Sequence, residues 1–381
     1  MENSSVRFKI AEQESEKEAI YAFRYKVYVE EMGKSLVNAD HDRKFLKDAQ
    51  DDVSVQFYLE DDNGVFACIR GFIGGDEPFT KTEKENFALD KFSEYGDNSI
   101  SITGKLMIDA KKRNSPALGI LLCNVYRYGR ERGVKFDFCN CAPSLVQLYE
   151  MLGYRRYKDS ISDPDVGYRI VLVNVLEDIQ HLRFVKSPFY RLAQSLNNQT
   201  DTSDWFAKNF KVKIKHIHRN LLDEEEIWKY FSSALGDGGI HLLEGFTDKE
   251  KESLMSQGTL INVNKGKTIT QKGNWGESLY IILTGRVEMF VHEKDQHFSL
   301  GYLGQGEVFG LSAYVNILEL TNTVAVEHTQ LLELSKFTYL KLSVNQLKLT
   351  NKLNNNLLKI LTGRFAQVTD KWLSSTQQTK K

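Results

Sequence analysis

Between residues 240 and 335, glycines at 266, 273, 285, 306 and 310 fall between short apolar alternations such as SLYIILT and VEMFV. Glycine in such a place marks a turn that needs positive φ, or a close approach of two backbones. Many short strands punctuated in this way predict a barrel or jelly roll. From Lys336 the pattern turns helical, and LTNKLNNNLLKILTGRFAQVTDKW carries an apolar face at Leu353, Leu357, Ile360 and Leu361.

The first part of the chain is built differently. Residues 1–176 alternate helical and strand patterns, which predicts an α/β domain. Ile20, Phe23 and Val27 recur at helical spacing, and VSVQFYLEDDNGVFACIRGFI reads as two strands joined by an Asp-Asn-Gly turn. PALGILLCNVYRYGRERGV reads as a helix with Leu118, Leu122, Val125 and Tyr126 on one face. Residues 177–239 are polar with helical character, which predicts a helical connector, and 240–381 form the second domain with its C-terminal helix.

The chain has 381 residues, enough for this arrangement, and a net charge of -1, which argues against a general nucleic-acid binder. No run of apolar residues is long enough for a membrane-spanning helix, and MENSSVRFKIAEQESEKEAI is too polar and acidic for a signal peptide. Cys68, Cys123, Cys139 and Cys141 make no CxxC pair and read as reduced thiols, so a cytoplasmic protein is expected. Asp40-His41-Asp42 and His216-x-His218 lack a third spaced ligand and read as surface groups, so no metal is expected. The basic alternation KVKIKHIHR, 211–219, reads as solvated, or as a contact for an acidic carrier protein.

KGKTITQKGNWGESLYIILTGRVEMF followed by LGQGEVFG resembles the cyclic-nucleotide-binding domain family. That resemblance implies a β-roll and a ligand pocket at Gly310, Leu311, Ser312, Leu320 and Thr321. In the family the cassette glycine is followed by Glu, for the ribose, and nine residues later by Arg, for the cyclic phosphate. Leu311 and Leu320 stand at those two places here. Each hydrogen bond to a charged group is worth roughly 1.5–3 kcal/mol, so their loss predicts a domain that does not bind cAMP or cGMP in the usual manner. A barrel kept for packing or dimer contact, and an altered apolar ligand, are the remaining readings. A homodimer through the C-terminal helix is expected.

In the first domain, SLVQLYEMLGY places Tyr149 four residues before Gly153-Tyr154 and resembles the Tyr-x-x-x-Gly-Phe element of GNAT acyltransferases. KLMIDAKKRNSPALGILLCNVYRYGRERG resembles their strand–loop–helix for an acyl thioester. By that resemblance Met107 and Ile108 present backbone to the donor, and Arg113, Asn114, Ser115, Ala117 and Leu118 lie along its phosphate loop. The resemblance implies acyl-CoA or acyl-ACP as donor; the loop lacks the family's tight glycines, and a donor carried on acyl carrier protein, whose phosphopantetheine has no nucleotide diphosphate, is one explanation. AFRYKVYVEEMGK, DAQDDVSVQFYLEDDNGVFACIRGF and FALDKFSEY resemble acyl-homoserine-lactone and N-acyl-amino-acid synthases, with Arg24, Asp51 and Arg70 on charged positions. Where that family carries an acid on its central strand, this chain reads Ile102-Thr103-Gly104-Lys105. The resemblance implies a cytoplasmic, bacterial N-acyltransferase acting on a small amine or amino acid. Tyr149 would protonate the leaving thiolate, and Arg24 and Arg70 would serve the same site. A nucleotide-regulated protein-lysine acetyltransferase and a non-catalytic dimerising scaffold are the alternatives.

Overall fold

The computed structural model describes residues 6–34, 36–113, 115–163, 167–196, 201–210, 240–294 and 296–378. These divide into two units, one built mainly from residues before 214 and one mainly from residues after it.

The first unit is organised by one mixed sheet. Its strands are β1 (Arg7–Ile10), β4 (Val55–Asp61), β5 (Gly64–Ile73), β6 (Ile100–Ile108), β7 (Phe136–Cys141), β8 (Arg155–Arg156), β9 (Ile161–Asp163) and β10 (Gly167–Val175). They run in the order β1-β4-β5-β6-β7-β10-β8, with β9 also on β10. A separate small pair is β2 (Ala39–Asp40) with β3 (Phe45–Leu46). Along the path β1 to β8 the described pairings are antiparallel except β6 with β7. The β4–β5 hairpin turns at Asn63-Gly64, where Gly64 takes φ of 102°, as the Asp-Asn-Gly signal predicts.

Helix α1 (Glu14–Tyr25) starts with a capping box between Gln13 and Glu16 and runs into a π-helical turn, Lys26–Glu31. Its apolar spacing puts Ile20, Phe23 and Val27 against Tyr58, Cys68 and Met107 on one face of the sheet. Helix α2 (Lys81–Phe87) contributes Phe87 to an aromatic cluster further along that face. Helices α3 (Ala117–Glu131) and α4 (Val146–Leu152) each follow a strand of the central pair. Three short helices follow: α5 (Ile179–Phe184), α6 (Tyr190–Ser195) and α7 (Thr202–Asn209). In the stretch read as a polar connector, Phe206 and Phe210 are therefore core residues of the first unit, with Phe210 stacked on Phe92 at 4.8 Å. The basic stretch 211–219 lies outside the described residues.

The second unit is a β-roll of two four-stranded sheets. One is β11 (Thr259–Val263), β18 (Thr329–Ser335), β13 (Ser278–Thr284) and β16 (Val308–Phe309); the other is β12 (Thr268–Thr270), β17 (Asn322–Ala325), β14 (Val287–Glu293) and β15 (Gln296–Leu303). Around them lie α8 (Asp248–Met255), a single turn α9 (Ser312–Val315), α10 (Lys336–Asn345) and the long α11 (Leu347–Gln378). Leu353 and Leu357 of α11 join the roll's core, as their spacing predicts, and Ile360 packs beside them. Leu361, expected on the same face, is exposed. No helix among the described residues is long and apolar enough to cross a membrane.

Candidate active site and ligand pocket

The sheet of the first unit has an irregularity at its centre. On β5, Cys68 and Arg70 are separated by one residue, Ile69; their partners on β6, Met107 and Gly104, are separated by two, Lys105 and Leu106. The extra residue is a bulge on β6, and Lys105 takes φ of 56°, a left-handed conformation uncommon for a side chain with a Cβ. The bulge brings the Lys105 ammonium to 3.0 Å from Asp48 and to 5.9 Å from the ring centre of Tyr28.

Asp48 belongs to a buried ionic network. Arg24, on α1, is completely buried and donates to Asp51 at 2.7 Å and to Gln56. Arg70 donates to the same Asp51 oxygen at 3.1 Å, to Gln50 at 2.6 Å and to Asp48. Gln50 continues the chain of bonds to Glu83 of α2, which also caps that helix through Thr80. Burial pushes the Asp48 carboxyl up, but the Arg70 and Lys105 cations outweigh it and hold it below its ordinary value. The structure thus brings together Arg24, Asp51 and Arg70, and adds Asp48, Gln50, Gln56 and Lys105. Arg24 reaches no solvent, so its action on any substrate passes through Asp51 and Gln56.

Just before the bulge, after Ile102, the two central strands part. β6 and β7 pair in parallel only at Ile100–Phe136, Ser101–Asp137 and Ile102–Phe138, while β6 continues to Ile108 and β7 to Cys141. Met107 and Ile108 lie on the parted stretch. Tyr149 of α4 packs edge-on to Tyr154 at 5.3 Å, and its phenol feels Cys139, Cys141 and Tyr28. Burial is the main reason its hydroxyl titrates well above the usual range.

The loop before α3 is crowded with ion pairs. Arg113 donates to the Ile108 carbonyl at 3.1 Å and pairs with Glu31. Lys112 pairs with Asp61 at 2.9 Å and Lys26 with Asp109 at 2.7 Å. Ser115 accepts from the Ala117 amide at 3.3 Å and donates to the Lys112 carbonyl at 2.6 Å. Leu118 follows in the first turn of α3, and Asn114 lies outside the described residues. His41 is bonded to the Tyr25 hydroxyl at 2.9 Å, and His216 and His218 lie outside the described residues.

In the second unit, Gly310 takes φ of 76°, and a Cβ there would lie 2.3 Å from the Ser278 carbonyl oxygen, so the position accepts only glycine. Leu311 is half-buried and packs on the roll's core beside Tyr314. Leu320 is 66% exposed, and Thr321 is half-buried. Sequence reasoning passed over the neighbour, Glu319, which is only 7% exposed. Its backbone is fixed to Gly273 and Asn274, and its carboxylate accepts from Ser312 at 3.1 Å. Burial pushes that carboxyl up to about 7, and the Ser312 bond offsets only part of the effect.

Residues 19–175 match the family model of the N-acyl amino acid synthase FeeM, and residues 260–344 match that of the cyclic nucleotide-binding domain. The chain is thus similar to an N-acyl amino acid synthase in one part and to a cyclic nucleotide-binding domain in another. A curated relative, the cyclic AMP receptor protein of Thermus thermophilus, is 32% identical over 131 residues, which is 34% of this chain and 59% of that protein. Among solved structures, the Thermus thermophilus catabolite activator protein is 31% identical over 36% of this chain and 63% of its own, with a TM-score of 0.32. A cyclic nucleotide-binding domain from Methylobacillus flagellatus is 26% identical over 40% of this chain and 83% of its own, with a TM-score of 0.35. The chain therefore spans less than two thirds of the curated relative it matches.

Proposed function

We propose that the first domain, 1–176, is a GNAT-like N-acyltransferase that moves an acyl group from an acyl thioester to the amine of a small amine or amino acid. The observation that carries this reading is the parting of β6 from β7 beside Tyr149. An extended pantetheine arm fits a strand edge that has no β partner, because main-chain bonds can hold it there. A neutral amine attacks the thioester carbonyl carbon, and the backbone N–H of Ile108, which alternation turns to the free edge of β6 because the Asp109 amide is bonded to Phe66 of β5, faces the developing oxyanion. The C–N bond forms and the C–S bond breaks. Tyr149 gives its proton to the leaving thiolate, and the surplus amine proton returns to the phenol through water. Burial keeps the phenol protonated at neutral pH, the state a donor needs. Arg70 and Lys105, held on Asp48, orient the acceptor side, and Arg24 positions them through Asp51.

The donor is acyl carrier protein in preference to acyl-CoA. Arg113, Lys112 and Lys26 each already hold a carboxylate, and Pro116 contributes no N–H, so a nucleotide diphosphate has little to bind at this loop. The enzyme is cytoplasmic, and its second domain, 240–381, regulates without binding a cyclic nucleotide in the ordinary manner. Leu358, Leu361, Phe365 and Val368 of α11 are all exposed at alternating spacings of three and four, which supports a homodimer through that helix.

Thiol release from matched acyl-carrier-protein and acyl-CoA donors, with and without pooled amino acids and amines, tests the reading. Acceptor-dependent release is expected, faster from the carrier protein. Tyr149→Phe should lower kcat by about a hundredfold with little change in KM. Release that is independent of any acceptor, or absent with every donor, would end the transferase reading.

A further inference from the structure

Helix α10 is apolar on two sides. Leu342 points into the roll's core and is buried. At 3.6 residues per turn, Phe337, Leu340 and Val344 fall within about 60° of one another on the opposite side. All three are exposed, Phe337 at 70% and Val344 at 78%. Leu347, which opens α11 after the break at Gln346, is exposed as well. The cassette beside α10 extends this surface. Tyr314 of α9 stacks on Tyr339 of α10 at 4.2 Å, and Lys336 donates to Asn316. Next to these contacts Val315, Ile317, Leu318 and Leu320 are all exposed. Single exposed apolar residues are ordinary, but a run of them on adjoining elements marks a docking face.

Charge identifies what docks there. From Lys336 to Thr369 the chain carries six basic residues and no acidic one. Lys336 and Lys341 flank the exposed apolar side of α10, each about 40° beyond its edge. Lys352 is held by Glu250 and Lys359 by Glu244, whereas Lys341 and Lys348 have neither ion pair nor hydrogen bond among the described residues. A second copy of this face, brought up by a two-fold axis, would set lysine against lysine. An anionic lipid surface answers both features at once. Side chains as exposed as Phe337 and Val344 protrude, and fluid acyl chains can close around them. The lysine stems lie along the apolar strip and carry their ammonium groups to the phosphates.

We propose that α10 and the loop 315–320 seat the second domain on an anionic lipid bilayer. Phe337, Leu340, Val344 and Leu347 enter the boundary between headgroups and hydrocarbon, and Lys336, Lys341 and Lys348 meet lipid phosphates. The proposal stands independently of the transferase reading. The contact is peripheral, so it forms and breaks with ionic strength and with the lipid's charge. Each lysine at an anionic surface contributes about fivefold in affinity.

The test sediments the full chain with vesicles of phosphatidylcholine alone, and with vesicles of phosphatidylcholine and phosphatidylglycerol in equal parts. Binding to the anionic vesicles is expected at low salt, with a fall of at least about tenfold at high salt. Phe337→Ser combined with Val344→Ser should weaken that binding by at least about tenfold. Lys341→Gln combined with Lys348→Gln should weaken it by about twentyfold. All four side chains are exposed, so urea unfolding of both variants should match wild type and shows that a loss of binding is not a loss of fold. Sedimentation velocity without lipid is run on wild type and on the apolar variant. No binding to either vesicle, equal binding to both, or undiminished binding by either variant overturns the proposal. A change of oligomeric state in the apolar variant, with vesicle binding kept, would instead make this face a contact between copies.

Discussion

The two units treat buried charge in opposite ways. In the first, Arg24, Arg70 and Lys105 meet Asp48 and Asp51 within hydrogen-bond distance, and Gln50 and Gln56 fill remaining positions. In the second, Glu319 is buried with one serine hydroxyl as its side-chain partner, at the cassette where leucines stand in place of the family's charged pair. A carboxylate that meets cations stays ionised, and one that does not is pushed toward its neutral form. Asp48 and Glu319 move in these two directions. The lesson is that a buried carboxylate keeps its charge where cations answer it and is pushed toward its neutral form where none does. A cyclic phosphate brought beside Glu319 would meet a half-neutral carboxyl near pH 7 and a full like charge only above it.

The largest effect should come from breaking the first network. Arg24→Met leaves Asp51 buried with less compensation, and removal of one partner from a buried pair costs about 3–5 kcal/mol. Urea unfolding followed through the first unit's aromatic residues would register it. A change within a few tenths of a kcal/mol would mean that Arg70 alone neutralises Asp51, and that Arg24 is dispensable to the network.

Glu319 offers the matching experiment in the second unit. Its carboxyl stands near 7 when folded against 4.5 as the reference, so the folded state holds a proton that the unfolded state releases across that window. Stability contributed at this position is therefore highest below about pH 4.5, falls as pH rises toward 7, and is flat above it. One pKa unit is about 1.36 kcal/mol, so the fall is about 3 kcal/mol in all. Asp137 adds a similar slope in the first unit, because burial raises it from 3.8 to about 6. Glu319→Gln removes only the second unit's share. Wild type and variant should nearly coincide at pH 4.5 and separate by about 3 kcal/mol at pH 8, with the variant the more stable. Parallel curves would mean that water reaches Glu319 and that the two units treat a buried carboxylate alike.

Much of this architecture was legible in the sequence. The helical spacing of Ile20, Phe23 and Val27, the Asp-Asn-Gly turn and the glycine at 310 each express a local rule, and each came out as read. Arg24, Asp51 and Arg70 could be named from resemblance, and their mutual contacts could not, since pairs 19 and 27 residues apart in sequence depend on tertiary geometry. The bulge at Lys105 was hidden because positive φ at a lysine has no local signal. Asp137 and Asn174, buried partners on β7 and β10, did leave a trace, as polar residues inside the apolar strands FDFCNC and RIVLVNV. Their alignment across the sheet depends on register between strands, which no single strand encodes. Phe206 and Phe210 were passed over because the polar residues around them outweighed two aromatics in composition.

The contrast between the units can also be reversed, by restoring the charges that the cassette lacks. Leu311→Glu with Leu320→Arg places an acid and a cation where the family holds ribose and phosphate. Leu320 is already exposed, so an arginine there displaces no core. Leu311 packs against the roll's interior, so its change carries some cost in stability. Two hydrogen bonds to charged groups at roughly 1.5–3 kcal/mol each, less that cost, should raise cAMP affinity by about a hundredfold over wild type. Adding Glu319→Gln should raise it again, since the like charge beside the phosphate is removed. Calorimetric titration with cAMP measures both steps. A gain in the triple variant but not the double would put the block on Glu319 rather than on the leucines. No gain in either would mean that Leu311 and Tyr314 have closed the pocket by packing, so that the second domain's site has been filled and not merely disarmed.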